Sequence, residues 1–371
     1  MPQRSARASK RISRRRRAAQ SSWRGLVHIS SLKRKIRLFF LAVIAVGLST
    51  AILTSLSLYK FLRAPFTQAA GGSLYQQNWD GKRPLNLLLV ELADLDQQTS
   101  AVEYLAILHL DPSSKKYGLV EVPVETIGEM PFSLRREPLA SSFATGNLLQ
   151  PPQGVHFVAK AVEKAVAVPV EAYVLTDRNG WEELVTNFGA PEAENLGAIV
   201  SWNKIWRGKD LISRVHRVAR TNLGLTEIWQ LILFLHTAKP FEGGTWRWQG
   251  GTLEDCLKQD ERWRKTFAES RVLTEGRRVL VLNGTEKAGL AAFWARMVNN
   301  LGGEVLDVGN ASRPYADSLI VALDPQSYTV ELLARSLRIG QVETYLESRH
   351  GAEPGVAQAD ITVIFGLDKL L

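Results

Sequence analysis

Arg214, Arg217 and Arg220 recur at intervals of three, a spacing that stripes one side of a helix. Guanidinium groups gathered in this way can grip phosphate oxygens two at a time. The plainer role for the same stripe is a solvated helix face on which Asp210 pairs with Arg214. His216, on the same stretch, reads as a surface residue. Glu103 and Glu125 are the metal or base candidates, and each also fits as an exposed strand residue. Arg135 and Arg136 fall in an expected loop from which either could reach a phosphate. Asn283-Gly284-Thr285 could bring backbone N–H groups to an anion, but a single glycine there reads first as a tight structural turn. The chain has no zinc-ligand spacing, Ser-His-Asp arrangement or P-loop. Cys256 is the only cysteine, so no intramolecular disulfide can form, and it reads as a passive residue.

These residues need elements to hold them. Leu85–Val90 (LNLLLV) and Tyr104–Leu110 (YLAILHL) are apolar runs of strand length. Asp111-Pro112-Ser113-Ser114 supplies turn chemistry, and Tyr117–Val122 then alternates, so a hairpin is expected. Val155, Val158, Val162 and Val166 carry helical spacing and suit a core-facing helix. Val170–Leu175 is expected as a strand and Trp181–Asn187 as the start of a helix. Ile228–Leu235 (IWQLILFL) is too short to span a bilayer and reads as a buried helix. Charged residues 258–275 read as a helix leading into a connector. Beyond Arg277 the expected order is strand Val279–Leu282, helix Ala288–Leu301 ending at Gly302-Gly303, strands Glu304–Val308 and Leu319–Leu323, helix Tyr328–Leu337 and strand Asp360–Phe365. Alternating strands and helices define an α/β layered class for both units.

The net charge of +9 is unevenly spread. Residues 1–37 hold thirteen Lys or Arg and no acid; the rest carries 33 basic and 37 acidic side chains, net −4. The basic pI therefore does not describe the body, and the tail has only Trp23 as an aromatic, so nucleic acid is not the expected partner. Leu38–Tyr59 is 22 residues without a charge, enough at about 1.5 Å per residue to cross about 30 Å of hydrocarbon. Lys33, Arg34, Lys35 and Arg37 crowd its N-terminal side, which places the tail in the cytoplasm and the body outside. The expected organisation is a cytoplasmic tail (1–37), a transmembrane helix (38–59), a linker (60–84), a first α/β domain (85–270), a connector (271–277) and a second domain (278–371). A cleaved signal peptide is the competing reading, with Ala69-Ala70 a weak cleavage signal.

Two stretches carry a family resemblance. YLAILHLDPSSKKYGLVEVPVET and GVHFVAKAVEKAVAVPVEAYVLTDRNGWEELVTNFGAPE resemble the LytR-CpsA-Psr domain, also called the cell-envelope-related transcriptional attenuator domain. VLVLNGTEKAGLAAFWARMVNNLGGEVLDVGNA and the closing ADITVIFG resemble the LytR C-terminal domain. The first resemblance implies a phosphotransferase that holds a polyprenyl-pyrophosphate-linked glycopolymer, with Mg²⁺ or another divalent cation at the pyrophosphate, and moves the polymer to peptidoglycan. It implies Arg214, Arg217 and Glu125 as catalytic, Arg214, Arg217 and Arg220 as ligand-binding, and Glu103 as a metal ligand.

The chain departs from that pattern where charge matters most. Arg-Ser-Asp-Thr becomes Ala101-Val102-Glu103-Tyr104, and Pro-Arg-Asp-Thr becomes Pro123-Val124-Glu125-Thr126. The aspartate expected before Arg214 is Leu211, and the Lys-Ile-Asn segment is not recognisable near Pro138-Leu139-Ala140. Losing one preorganised donor costs about 2.7–4 kcal/mol of barrier in a transfer site. The expectation is therefore a membrane-anchored envelope protein with a degenerate transferase domain, weak or inactive as an enzyme. Its expected partners are the bacterial cytoplasmic membrane, lipid-linked glycopolymer or peptidoglycan, and envelope proteins. An active transferase is the alternative; a transcriptional attenuator is disfavoured because the folded mass lies outside the cell.

Overall fold

The structure, a computed structural model, describes residues 55–56, 79–130, 136–149, 153–182, 218–345, 353 and 355–370. The chain divides into two compact units, Met1–Leu62 and Arg63–Leu371. Of the first, only Ser55 and Leu56, helical and exposed, are described. The expected transmembrane helix otherwise lies outside the described residues, among which no helix is long and apolar enough to cross a membrane.

The second unit holds two main sheets. The first has the order β7-β6-β1-β2-β3-β8, from β1 (Leu85–Leu92), β2 (Val102–Asp111), β3 (Lys116–Glu121), β6 (Ala172–Asp177), β7 (Ala219–Thr221) and β8 (Lys239–Arg247). A small hairpin of β4 (Ile127–Glu129) and β5 (Arg136–Pro138) stands apart from it. Strand β1 is apolar but for Asn86 and Glu91 because it is covered on both faces. Leu88, Val90 and Leu92 join the core under α1 (Ser142–Leu149) and α2 (Gly154–Val166). Leu85 and Leu87 face the other way, toward α3 (Leu225–Thr237). Val155, Val158, Val162 and Val166 are closed within the α2 core.

The expected hairpin forms as β2 and β3. Asp111 makes the turn: its Oδ1 accepts from the Ser113 amide at 2.9 Å and the Ser113 hydroxyl at 2.6 Å, and its Oδ2 from the Ser114 hydroxyl at 2.6 Å. Residues 178–182 are helical, so that helix begins ahead of Trp181; residues 183–217 lie outside the described residues.

Two elements differ from expectation. Helix α3 exists, but it is half-buried: Ile228, Leu231, Phe234 and Leu235 pack on the sheet while Leu233 remains 47% exposed. An outer layer has one covered face, however apolar its sequence. Arg220 lies on strand β7, opposite Leu175, and not on a helix. Threonine and asparagine pin it there, with the Thr221 hydroxyl donating to the Tyr173 carbonyl at 2.6 Å and the Tyr173 amide donating to Asn222 at 2.9 Å.

The expected charged helix is two, α4 (Leu253–Phe267) and α5 (Ser270–Glu275). Thr252 and Asp255 form a capping box at the start of α4. Phe267 closes the edge of the first sheet against His109, Trp246 and Trp263. His109 is buried, and its Nδ1 lies 2.8 Å from the Asn86 carbonyl oxygen, while the Asn86 amide group donates to Pro169 at 2.9 Å. That chain fixes His109 as neutral with its proton on Nδ1, and burial pushes its pKa down to about 4. The unfolded chain binds this proton near pH 6.5, the folded one near 4. Stability is therefore complete above about pH 6.5 and falls with decreasing pH, by up to about 3 kcal/mol at about pH 4. Urea midpoints measured from about pH 7 to about pH 4 should show this slope, and His109→Gln should flatten it.

The second sheet has the order β10-β9-β13-β11-β12, from β9 (Arg278–Asn283), β10 (Glu304–Asn310), β11 (Leu319–Ala322), β12 (Gln341–Thr344) and β13 (Ile361–Phe365). Helices α6 (Leu290–Asn300) and α7 (Tyr328–Ser336) cover one face through Trp294, Val298, Val330 and Leu333. The Asn283-Gly284-Thr285 turn is structural. Asn283 accepts from the Thr285 amide and hydroxyl, and a Cβ on Gly284 would sit 2.9 Å from the Tyr315 ring and the Phe365 carbonyl.

The expected connector is largely α5, and it is anchored. Glu275 accepts from the Tyr328 and Thr329 amides at 3.1 and 2.9 Å, so α5 caps α7. Ion pairs tie the two sheets' helices together. Glu163 on α2 pairs with Arg338 beyond α7 at 2.6 Å, and Asp260 on α4 pairs with Arg296 on α6 at 2.6 Å.

Candidate functional site

The residues that could act on a ligand collect at the C-terminal ends of β1 and β6, where the parallel pair runs out into loops. Register sets their neighbours: Glu91 on β1 stands opposite Tyr104 on β2 and Thr176 on β6. The Tyr104 hydroxyl donates to Glu121 on β3 at 3.4 Å. The register of β2 on β1 shifts between Glu91 and Leu92, which leaves Glu103 as the extra, exposed residue of a bulge beside Glu91. Asp177 ends β6, with Arg178 and Glu182 on the helical turn behind it, 3.6 Å apart.

The electrostatics of this rim are acidic. Burial pushes the Glu91 carboxyl up from the ordinary glutamate value. The charges of Glu103, Asp177 and Glu182 push it further, and among the described residues Arg178 opposes them. Burial, then Glu121 and Glu91, likewise raise the Tyr104 phenol. Such a rim favours cations and protonated carboxyls over a pyrophosphate.

The expected residues are brought together only in part. Glu103 lies on the rim through its charge on Glu91. Arg220 pairs with exposed Asp96 at 3.4 Å, which offsets its charge. Glu125 is exposed in the turn between β3 and β4. Val124 packs against the first core and brings no charge to the rim. Arg214, Arg217 and His216 lie outside the described residues. No group of three or more carboxylate, histidine or cysteine side chains among the described residues could hold a metal ion. Cys256 is half-buried against the first core with its thiol pushed up by burial, which leaves it unreactive.

Sequence reasoning missed Glu91, Glu121 and Asp177. Glu91 had a usable signal, a lone charge closing an apolar strand; its proximity to Glu103 depends on pairing that no local pattern encodes. A separate cleft of about 570 Å³ opens at the other end of β1 and β6, among Trp79, Arg83, Leu85, Glu171 and Arg335, and none of Glu103, Glu125 or Arg220 lines it.

Residues 277–368 match the family described as LytR cell envelope-related transcriptional attenuator, so this segment is similar to a LytR C-terminal domain. No curated protein matches the chain. Among solved structures, the chain is similar to the transcriptional regulator yvhJ of Bacillus subtilis, at 17% identity over 50% of this chain and 97% of that one, with a TM-score of 0.38. B. subtilis TagT is similar at 13% identity over 54% of this chain and 97% of that one, TM-score 0.36. The LytR-CPS2A-psr family protein YwtF (TagT), recorded with bound octaprenyl pyrophosphate lipid, is similar at 12% identity over 55% and 95%, TM-score 0.35.

Proposed function

We propose that this chain is a membrane-anchored, extracytoplasmic cell-envelope protein whose LytR-CpsA-Psr-like domain no longer transfers and serves to bind or scaffold in cell-wall glycopolymer attachment. The observation that carries the reading is the acidic rim. Phosphoryl transfer needs cations aimed at the phosphate oxygens before the reaction begins. Where the family pattern places arginines, this chain has Ala101, exposed just ahead of β2, and Val124, packed on the core. Glu91, Glu103, Asp177 and Glu182 gather there with Arg178 as the nearby counter-charge. The LytR C-terminal domain supports a place in the envelope.

Calorimetric titration of the detergent-solubilised full chain with octaprenyl pyrophosphate, with and without Mg²⁺, tests the pocket. The expected result is binding weaker than micromolar that Mg²⁺ does not sharpen. Tight binding lost in Arg214→Ala/Arg217→Ala would instead favour the second reading, a live transferase working through those two arginines.

A further inference from the structure

A second cleft, of about 450 Å³, lies between α2 and α6, away from the acidic rim. Its volume is that of an ordinary ligand site. Its charge is the reverse of the rim's. Lys160 and Lys164 enter from α2, Lys287 from the turn before α6, and Arg136 from β5. Only two carboxylates line it, Glu129 and Glu163.

Each of those carboxylates is divided between two cations. Glu129 takes Lys287 at 3.1 Å and Lys164 at 3.7 Å; Glu163 takes Lys160 at 2.8 Å and Arg338 at 2.6 Å. Arg136 is exposed and stands directly across the β4–β5 hairpin from Glu129, a third cation beside that carboxylate. Arg296 and Lys369, also on the wall, are matched by Asp260 and Asp368. The Lys160 and Lys164 side chains are each only 18% exposed. Buried charges are normally paired one to one, since an uncompensated one is costly. Burial first, and then the neighbouring cations, press both lysines' pKa values down against the opposing pull of Glu163 and Glu129. Leu290 and half-buried Phe293 supply apolar surface beside the cations.

From this juxtaposition, and resting on the proposed place in glycopolymer attachment, we infer that the cleft binds a multiply charged anion carried on a glycan, with Lys160, Lys164, Lys287 and Arg136 as its counter-charges. Phosphate and uronate units offer the same charge, and the test separates them. The site uses residues of both sheets' layers, so an occupant would brace the LytR C-terminal domain against α2. It does not depend on whether the rim transfers phosphate.

The test is calorimetry on the detergent-solubilised full chain, carrying Arg214→Ala/Arg217→Ala so that the family-aligned arginines are silent. The probes are pyrophosphate, a short oligogalacturonate and a neutral chitin oligomer of similar length. One of the two anions should bind and the neutral oligomer should not; whichever anion binds names the source. Arg136→Gln, on an exposed side chain that folding does not need, should weaken binding about tenfold, the order expected for one charge-assisted contact. Lys164→Gln/Lys287→Gln should weaken it further, and raising salt from about 50 to about 200 mM should do the same to the unmodified cleft. Binding that is unchanged in both variants, or no binding of either anion, overturns the proposal.

Discussion

Replacing Glu163 by glutamine is expected to lower the stability of the second unit by about 3–5 kcal/mol, the cost of leaving buried charge without its partner. Glu163 is 4% exposed on α2. Its carboxylate accepts from Lys160 at 2.8 Å, from Arg338 at 2.6 Å and from the Val170 amide at 2.9 Å. Burial alone would raise its pKa; Lys160 and Arg338, with those hydrogen bonds, hold it at about 2. Glutamine keeps the shape but leaves two cations facing a neutral amide. The same linkage gives a pH signature. Because the folded pKa is depressed, the stabilisation is present above the ordinary glutamate value of 4.5 and is lost as pH falls toward about 2. Urea unfolding followed by tryptophan fluorescence should show a midpoint lowered by more than ~1 M at about pH 7, and a wild-type advantage that shrinks below pH 4.5. Equal midpoints at neutral pH would mean the pair contributes no net stability.

Phe267→Ala should cost a similar amount, about 3–5 kcal/mol, through lost packing and not lost charge. The Phe267 ring lies 4.7 Å from His109, 4.7 Å from Trp263 and 5.3 Å from Phe241, and it stacks on Trp246 at 5.1 Å with planes 13° apart. The rings around it are rigid and collapse poorly into a void. Gly118 belongs to the same arrangement, since a Cβ there would stand 2.3 Å from the Phe267 ring. Leu257→Ala, on the exposed side of the same helix, is the control and should change stability by less than about 0.5 kcal/mol. Matching midpoints for the two variants would place the α4 aromatic layer outside the stabilising core.

The elements that were legible in the sequence are those whose burial repeats locally. LNLLLV, YLAILHL and DITVIF are strands covered on both faces, and Val155, Val158, Val162 and Val166 keep the period of a helix turned to its core. The elements that were not legible are edge strands. Lys239–Arg247 contains a proline and two glycines, and Gln341–Thr344 has one apolar residue, so neither shows a strand's alternation. Both are fixed by the strand beside them, β3 and β11. The arginine stripe shows the same limit. An interval of three suits a helix, but Arg220 belongs to a strand because Thr221 and Asn222 bond to Tyr173. The site was legible as chemistry and not as charge. Val124 for arginine could be read directly, whereas the repulsion between Glu91 and Glu103 needs β1 beside β2. The cationic cleft was hidden for the same reason, since Lys164 and Lys287 meet at Glu129 only after both sheets have formed.

The central claim, that the domain binds without transferring, is tested most directly by release of polyprenyl phosphate. The detergent-solubilised full chain would be incubated with a polyprenyl-pyrophosphate-linked glycopolymer and peptidoglycan, with Mg²⁺ present, and the freed lipid phosphate quantified. The account predicts release no faster than in the protein-free blank, and the same rate for Arg214→Ala/Arg217→Ala. Sustained release that those two substitutions abolish would contradict it and make the chain a working transferase.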